Sequence, residues 1–66
     1  MMTLKEYREN NDMQNTLVTC DFGCDFETAS GNDNRILDSW ENAVIDEAYE
    51  IDGRNYVDCH IELIDD

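Results

Sequence analysis

An apolar pattern of helical period runs through residues 35–51 (RILDSWENAVIDEAYEI), and the rest of the fold must be arranged around it. The apolar positions recur at steps of three, four, four and three residues: Leu37, Trp40, Val44, Ala48 and Ile51. Such spacing places them on one stripe of an amphipathic helix. The acidic positions fall away from that stripe: Asp38, Glu41, Glu47 and Glu50. We predict one central helix over residues 35–51, with an apolar face on a small sheet and an anionic face in water.

Residues 16–29 alternate with a period of two, which predicts a β-hairpin. If residues 22–24 form a three-residue loop, Asp21 pairs with Asp25, Cys20 with Phe26, and Thr19 with Glu27. A two-residue loop would mix apolar and charged side chains on each face of the hairpin. The three-residue loop is therefore the preferred register.

A third strand is predicted over residues 55–64, where the two-residue alternation returns. One side of this strand carries Val57, Cys59, Ile61 and Leu63, and the other carries Tyr56, Asp58, His60 and Glu62. At the N-terminus, Thr3 and Glu6 have the spacing of a capping box, which predicts a short helix over residues 4–9. Asp33 or Asn34 can cap the central helix, and Gly53 can end it.

These elements predict one α+β domain over residues 1–66, in the order α-β-β-α-β. The sheet is expected to have three antiparallel strands, with the main helix and the short N-terminal helix packed on one face. The opposite face would then carry a set of acidic side chains: Asp21, Asp25, Glu27, Asp58 and Glu62. Strands lie about 4.8 Å apart and same-face residues about 7 Å apart along a strand, comparable to phosphate spacing in nucleic acid.

The charge balance narrows the choice of partners. Seventeen Asp and Glu against four Lys and Arg give a formal net charge of −13. Direct binding to nucleic acid or to an anionic membrane is excluded, because phosphates need a partner of opposite charge. Basic partners are favoured, above all the positively charged clefts of nucleic-acid enzymes. The simpler alternative is that the acidity serves solubility or reflects a halophilic origin.

Candidate contact residues follow from these faces. They comprise the sheet carboxylates Asp21, Asp25, Glu27, Asp58 and Glu62, the helix carboxylates Asp38, Glu41, Glu47 and Glu50, and the aromatic residues Tyr49 and Tyr56. Tyr49 lies off the apolar stripe and Tyr56 on the polar side of its strand, so both can meet a partner. Trp40 lies on the stripe and is expected in the core. His60 is expected to be exposed, with a pKa raised by Asp58 and Glu62.

The three cysteines leave at least one free thiol, which points to a reducing, cytoplasmic environment. Cys20, Cys24, Cys59 and His60 together suggest a zinc site. Adjacent strand residues point to opposite faces, however, so Cys59 and His60 are poorly placed to share one ion. Small buried hydrophobic residues are the preferred interpretation of Cys20 and Cys59. No nucleophile or metal is identifiable beside His60, and we predict neither enzymatic activity, nor a cofactor, nor a membrane segment.

Five features of the chain are shared with a group of known proteins: MTLKEY at residues 2–7, the Asp21–Asp25 turn, the pair Phe26-Glu27, the predicted Trp-bearing acidic helix, and a final strand with CHIELI at residues 59–64. With these segments the chain resembles small acidic proteins from phages and mobile elements of Gram-positive bacteria. The order of hairpin, acidic helix and terminal strand is also similar to the dimeric phage inhibitors of uracil-DNA glycosylase. That resemblance implies DNA mimicry by a dimer, with a groove between helices that traps an aromatic residue of the enzyme. The Glu-Ser-Ile strand motif of the monomeric glycosylase inhibitors is lacking, and anti-CRISPR proteins are a second group of similar size and charge.

Two hypotheses result. The first is a phage-type, non-enzymatic inhibitor that acts as a DNA mimic in the basic cleft of a host DNA-processing or defence enzyme. The second is a small structural or adaptor protein that binds through an apolar patch or a strand edge. Because a sheet of three strands leaves an exposed edge and little core, we also expect a homodimer, formed through strand edges or the apolar side of the helices.

Overall fold

The computed structural model describes residues 1–62 of the chain. It contains two helices, α1 (Leu4–Asn10) and α2 (Asn34–Ser39), and four strands, β1 (Thr16–Asp21), β2 (Phe26–Ser30), β3 (Val44–Ile51) and β4 (Arg54–His60). The strands form one mixed sheet in the order β2-β1-β4-β3. The α+β class is confirmed. The prediction of three antiparallel strands is wrong, because a fourth strand is present and the central pair, β1 and β4, is parallel.

The predicted central helix ends after two turns. Asp33 caps α2 by accepting a hydrogen bond from the Ile36 amide, and Trp40 is the C-terminal cap. The remaining segment is β3, which pairs antiparallel with β4 through a two-residue turn, Asp52-Gly53. Both turn residues have positive φ angles, 52° and 82°, as a type I′ hairpin requires. Pairing with β4 therefore overrides the helical spacing of the apolar residues.

The start of β3 is covered by the N-terminal segment. The Leu4 amide donates to the Ala43 carbonyl at 2.8 Å, and the Ile45 amide donates to the Met2 carbonyl at 2.9 Å. Thr3 also caps α1 with Glu6 in a capping box, so the predicted N-terminal helix is confirmed. Farther along β3, the ladder shifts register between Ile45 and Glu47. This bulge leaves Asp46 without an opposite residue on β4.

The β1–β2 hairpin has a different register from the predicted one. Asp21 pairs with Phe26 and Cys20 with Glu27, so the loop contains four residues rather than three. The reason lies in the loop: the Phe22 amide donates to the Asp25 carbonyl at 2.8 Å, which closes a tight turn. The Phe22 ring packs edge-on against Trp40, with 6.0 Å between ring centroids. Phe22 thus takes the core contact, and Phe26 lies on the opposite face.

Both helices lie on one face of the sheet, where the core forms. The buried core residues are Leu4, Val18, Cys20, Ala29, Leu37, Trp40, Ala43, Val57 and Cys59. Val18 pairs with Val57, and Cys20 with Cys59, across the parallel β1–β4 ladder. The inward positions of Val57 and Cys59 and the core position of Trp40 are confirmed, while Leu63 lies outside the described residues. The other face of the sheet, called the outer face below, is not covered by α1 or α2.

Candidate interaction face of the sheet

Side chains of alternate residues form three rows across the outer face. The strand pairings give these rows as Phe26, Asp21, His60 and Val44; then Thr28, Thr19, Asp58 and Glu47; then Ser30, Leu17, Tyr56 and Tyr49. The first two rows hold the carboxylates, and the third holds the two tyrosine rings. The outer face is thus divided into an acidic part and an aromatic part.

The acidic part is made by four carboxylates, called the outer-face quartet: Asp21, Asp46, Glu47 and Asp58. Glu47 and Asp58 are directly opposite each other on β3 and β4. Opposite side chains have Cβ atoms about 5 Å apart, and like charges there destabilise the sheet. A shallow depression of about 460 Å³ lies beside them, lined by Thr19, Asp21, Phe26, Asp46 and Asp58 together with Cys59. Glu47 and Asp58 therefore repel each other on the outer face.

His60 is the one group of this region that can offset the negative charge. Its Nδ1 atom lies 2.7 Å and 2.8 Å from the two carboxylate oxygens of Asp46. Its Nε2 atom lies 3.6 Å from the Glu62 carboxylate. The hydrogen bond that His60 Nδ1 donates to the Asp46 carboxylate is the main cause that raises the pKa of His60, and Glu62 contributes further. The prediction that Asp58 raises the pKa of His60 is therefore wrong, whereas the same prediction for Glu62 is confirmed.

The aromatic part of the outer face is a stacked pair of tyrosines. The rings of Tyr49 and Tyr56 are nearly parallel, at 14°, with centroids 5.3 Å apart. Partial burial raises the pKa of Tyr49, and the Asp58 and Glu47 carboxylates raise it further. Ile51, which is 53% exposed, extends this part toward the β3–β4 turn. A partner on the outer face would therefore meet carboxylates beside an apolar surface.

The Lys and Arg residues lie outside the two acidic rows, and the one on the outer face is Arg54, opposite Ile51 at its aromatic end. Lys5 and Arg8 are on α1, Arg35 is on α2, and Arg54 is at the turn end of β4. Arg8 is already paired, at 2.8 Å from Asp38. No Lys or Arg thus belongs to the two acidic rows, and His60 is their only basic side chain within residues 1–62.

The structure separates the sequence-predicted contact residues into groups. Asp21, Glu47, Tyr49, Tyr56 and Asp58 share the outer face, with Glu62 beside His60. Asp25 lies in the β1–β2 loop and accepts a hydrogen bond from the Phe26 amide at 2.8 Å. The others lie outside the outer face: Asp38 and Glu41 are on the helical side, and Glu27 and Glu50 alternate toward the inner side of the two edge strands.

Asp46 and the role of its partner His60 were missed from the sequence. The helical spacing of residues 35–51 predicts a helix at Asp46, although the Asp-Gly pair at residues 52–53 is a strong hairpin signal. That hairpin signal predicts a strand over residues 44–51 paired with β4, and such a strand carries the Asp46 carboxylate close to β4. The bulge that brings Asp46 onto the outer face with Glu47 has no comparable sequence signal.

Cys20 and Cys59 are buried as packing residues, whereas Cys24 is exposed. Cys59 points into the core and His60 points to the outer face, so these two side chains do not converge. Burial raises the pKa of the Cys59 thiol to about 12, and burial also raises the pKa of Cys20. Both thiols are thus poor nucleophiles near neutral pH. Within residues 1–62, no group of three or more His, Cys, Asp or Glu side chains is arranged to hold a metal ion.

Two further observations concern the chain as a whole. Among the described residues, no helix is long and apolar enough to span a membrane. Comparisons with protein-family models, with curated proteins and with solved structures find no match. The resemblance to small acidic phage proteins therefore stays a prediction, and any functional proposal rests on the outer face.

Proposed function

We propose that this chain is a non-enzymatic inhibitor that mimics nucleic acid and occupies the basic cleft of a host DNA-processing or defence enzyme. The observation that carries the proposal is the outer-face quartet, Asp21, Asp46, Glu47 and Asp58, on a sheet face without Lys or Arg in its acidic rows. A positively charged cleft attracts such a surface over long distances and accelerates encounter.

The spacing of the quartet supports the same proposal. Glu47 and Asp58 are opposite on neighbouring strands, and Asp21 lies on the next strand, one row away from Asp58. These positions correspond to separations of about 5 Å across strands and about 7 Å along them. A cleft that binds successive phosphates can therefore place its Lys and Arg side chains against successive carboxylates.

Two enzymes are the first targets to test, namely a uracil-DNA glycosylase and an RNA-guided nuclease. Fluorescence anisotropy of a labelled DNA duplex bound to each enzyme measures displacement when the acidic protein is added. We expect stoichiometric displacement from one of them, together with loss of uracil excision or of target-DNA binding. Failure to displace DNA from either enzyme would remove these two targets.

Matched variants test the role of the outer face itself. The first variant converts the quartet to amides: Asp21→Asn, Asp46→Asn, Glu47→Gln and Asp58→Asn. The control converts four exposed carboxylates on other surfaces, Glu9, Glu27, Glu41 and Glu50, to Gln. Each set removes four of the negative charges, so both change the formal net charge from −13 to −9. We expect DNA displacement to fall much more in the first variant than in the control. Equal losses in the two variants would show that net charge, and not the outer-face quartet, determines binding.

The aromatic part of the outer face supports a second candidate function, an adaptor that binds its partner through apolar contact. Tyr49, at 38% exposure, and Ile51, at 53%, are the observations that favour it. In an adaptor, neutralising the quartet leaves partner binding intact, whereas Tyr49→Ala weakens it strongly. In a DNA mimic, neutralising the quartet weakens binding more than Tyr49→Ala does. The same two variants therefore distinguish the two candidate functions.

A further inference from the structure

The sheet has two edges, and they are protected to different degrees. β3 forms one edge, and its first residues are bonded to the segment at Met2 and Leu4. β2 forms the other edge, and no strand within residues 1–62 pairs with its free side. An exposed strand edge is a template for pairing with another chain. The β2 edge is therefore the place to look for a partner.

Hydrogen bonds at the two ends of the β1–β2 ladder determine which backbone groups face the edge. The Gly31 amide donates to the Thr16 carbonyl, and the Phe22 amide donates to the Asp25 carbonyl, both at 2.8 Å. In an antiparallel ladder, hydrogen-bonded pairs alternate with non-bonded pairs. Glu27 and Ala29 therefore direct their backbone groups toward β1. The other three residues, Phe26, Thr28 and Ser30, direct theirs toward the free edge.

Two of these edge groups are already satisfied within the chain. The Phe26 amide donates to the Asp25 carboxylate at 2.8 Å. The Ser30 carbonyl accepts a hydrogen bond from the Asp33 amide at 2.9 Å. The groups that stay available for a neighbouring strand are the Phe26 carbonyl, both backbone groups of Thr28, and the Ser30 amide.

We propose that a second copy of this chain pairs antiparallel with the β2 edge, about a two-fold axis at Thr28. In that register, the two Thr28 residues exchange both of their backbone hydrogen bonds, and each Ser30 amide donates to the Phe26 carbonyl of the other copy. The remaining bond of such a ladder would join a Phe26 amide to a Ser30 carbonyl, and these are the two groups already satisfied in each chain. The available donors and acceptors therefore match with none left over, as a two-fold interface requires.

Side chains and charge favour this edge over the β3 edge. In the proposed register, each Phe26, which is 65% exposed, lies beside Ser30 of the other copy, and each Glu27 is opposite Ala29. β2 contributes one carboxylate per copy, whereas β3 would contribute three, namely Asp46, Glu47 and Glu50. The pair would form one continuous sheet, with both outer-face quartets on the same side. Higher salt should strengthen this pairing, because it screens repulsion between two chains of formal charge −13.

Sedimentation equilibrium with Thr28→Pro tests the proposal. Proline removes the central N–H donor, and it is tolerated on an edge strand where that N–H points away from the sheet. We expect a dimer for the unmodified chain and dissociation constants about tenfold to a hundredfold higher for Thr28→Pro, because two symmetric hydrogen bonds are lost. Ala48→Pro is the matched control on the β3 edge, where the two-residue turn directs the Ala48 N–H outward. This control should dimerise as the unmodified chain does.

The experiments are run with a thiol reductant, because the exposed Cys24 could crosslink two copies. Amide hydrogen exchange of the unmodified chain gives a second measurement if Thr28→Pro fails to fold. Protection of the Thr28 and Ser30 amides should rise with protein concentration, whereas protection of the Ala48 amide should stay constant. A monomer at concentrations up to about 1 mM, or an equal effect of Thr28→Pro and Ala48→Pro, would overturn the proposal. A monomer that still displaces DNA through its quartet would leave the proposed function standing.

Discussion

Glu47→Gln should stabilise the fold and weaken target binding at the same time. Glu47 faces Asp58 directly across the β3–β4 ladder, and Asp46 lies beside it in the bulge. Gln keeps the length of the side chain and removes one of the opposed charges. The substitution thus isolates the cost of placing like charges on the outer face.

The magnitude follows from the geometry. Two unit charges about 5 Å apart repel by about 0.8 kcal/mol in water, and measured opposite pairs on sheets contribute about 0.2–1 kcal/mol. We therefore expect Glu47→Gln to raise the free energy of unfolding by a few tenths to about 1 kcal/mol. For a domain of this size, that corresponds to a rise in Tm of about 1–8 °C.

Thermal and urea unfolding at low salt measure this effect, with Glu50→Gln as the control. Glu50 is on the same strand but opposite Asn55 and on the other side of the sheet, so its neutralisation relieves no directly opposed pair. The difference between the two variants should shrink as salt screens the repulsion. Equal Tm values for the two variants at low salt, or a lower Tm for Glu47→Gln, would show that Glu47 and Asp58 do not repel each other measurably.

Three further predictions concern the fold. The pKa of His60 is raised above its ordinary value of 6.5, so the protonated imidazole stabilises the folded state below pH 6.5, and this contribution is lost as pH rises through the raised pKa. The free energy of unfolding in urea should therefore decline less with rising pH in His60→Gln than in the unmodified chain. Gly31→Ala should cost about 1–3 kcal/mol in urea unfolding, since a Cβ atom there overlaps the Met13 carbonyl. Leu37→Ala should cost about 2–5 kcal/mol because Leu37 is fully buried, whereas Ile36→Ala, at 36% exposure, should cost much less.

Local sequence patterns predicted the elements whose causes are local. The Thr3–Glu6 capping box and the Asp33 cap each depend on residues within one helical turn, and both are present. The inward positions of Val57 and Cys59 follow from the alternation of a single strand. Each of these features could be predicted because the residues that decide it are neighbours in the chain.

Long-range pairing decided the features that were predicted wrongly. The apolar residues of 44–51 fit a helical stripe, yet Ile51 is 53% exposed in the strand that they form with β4. The parallel pairing of β1 with β4 joins segments separated by β2, α2 and β3, and no local pattern indicates it. The acidic character of the outer face was predictable from Asp21 and Asp58, whereas the contribution of Asp46 depends on the β3 bulge.

The salt dependence of target binding is the decisive measurement for the proposed mimicry of nucleic acid. The dissociation constant of the complex with the responsive enzyme is measured between about 50 and 500 mM salt, for the unmodified chain and for the quartet variant. We predict that affinity of the unmodified chain falls steeply with salt, and that the quartet variant binds more weakly with a much smaller salt slope. Affinity that is unchanged over this range, or equal slopes for the two proteins, would contradict electrostatic mimicry by the outer face.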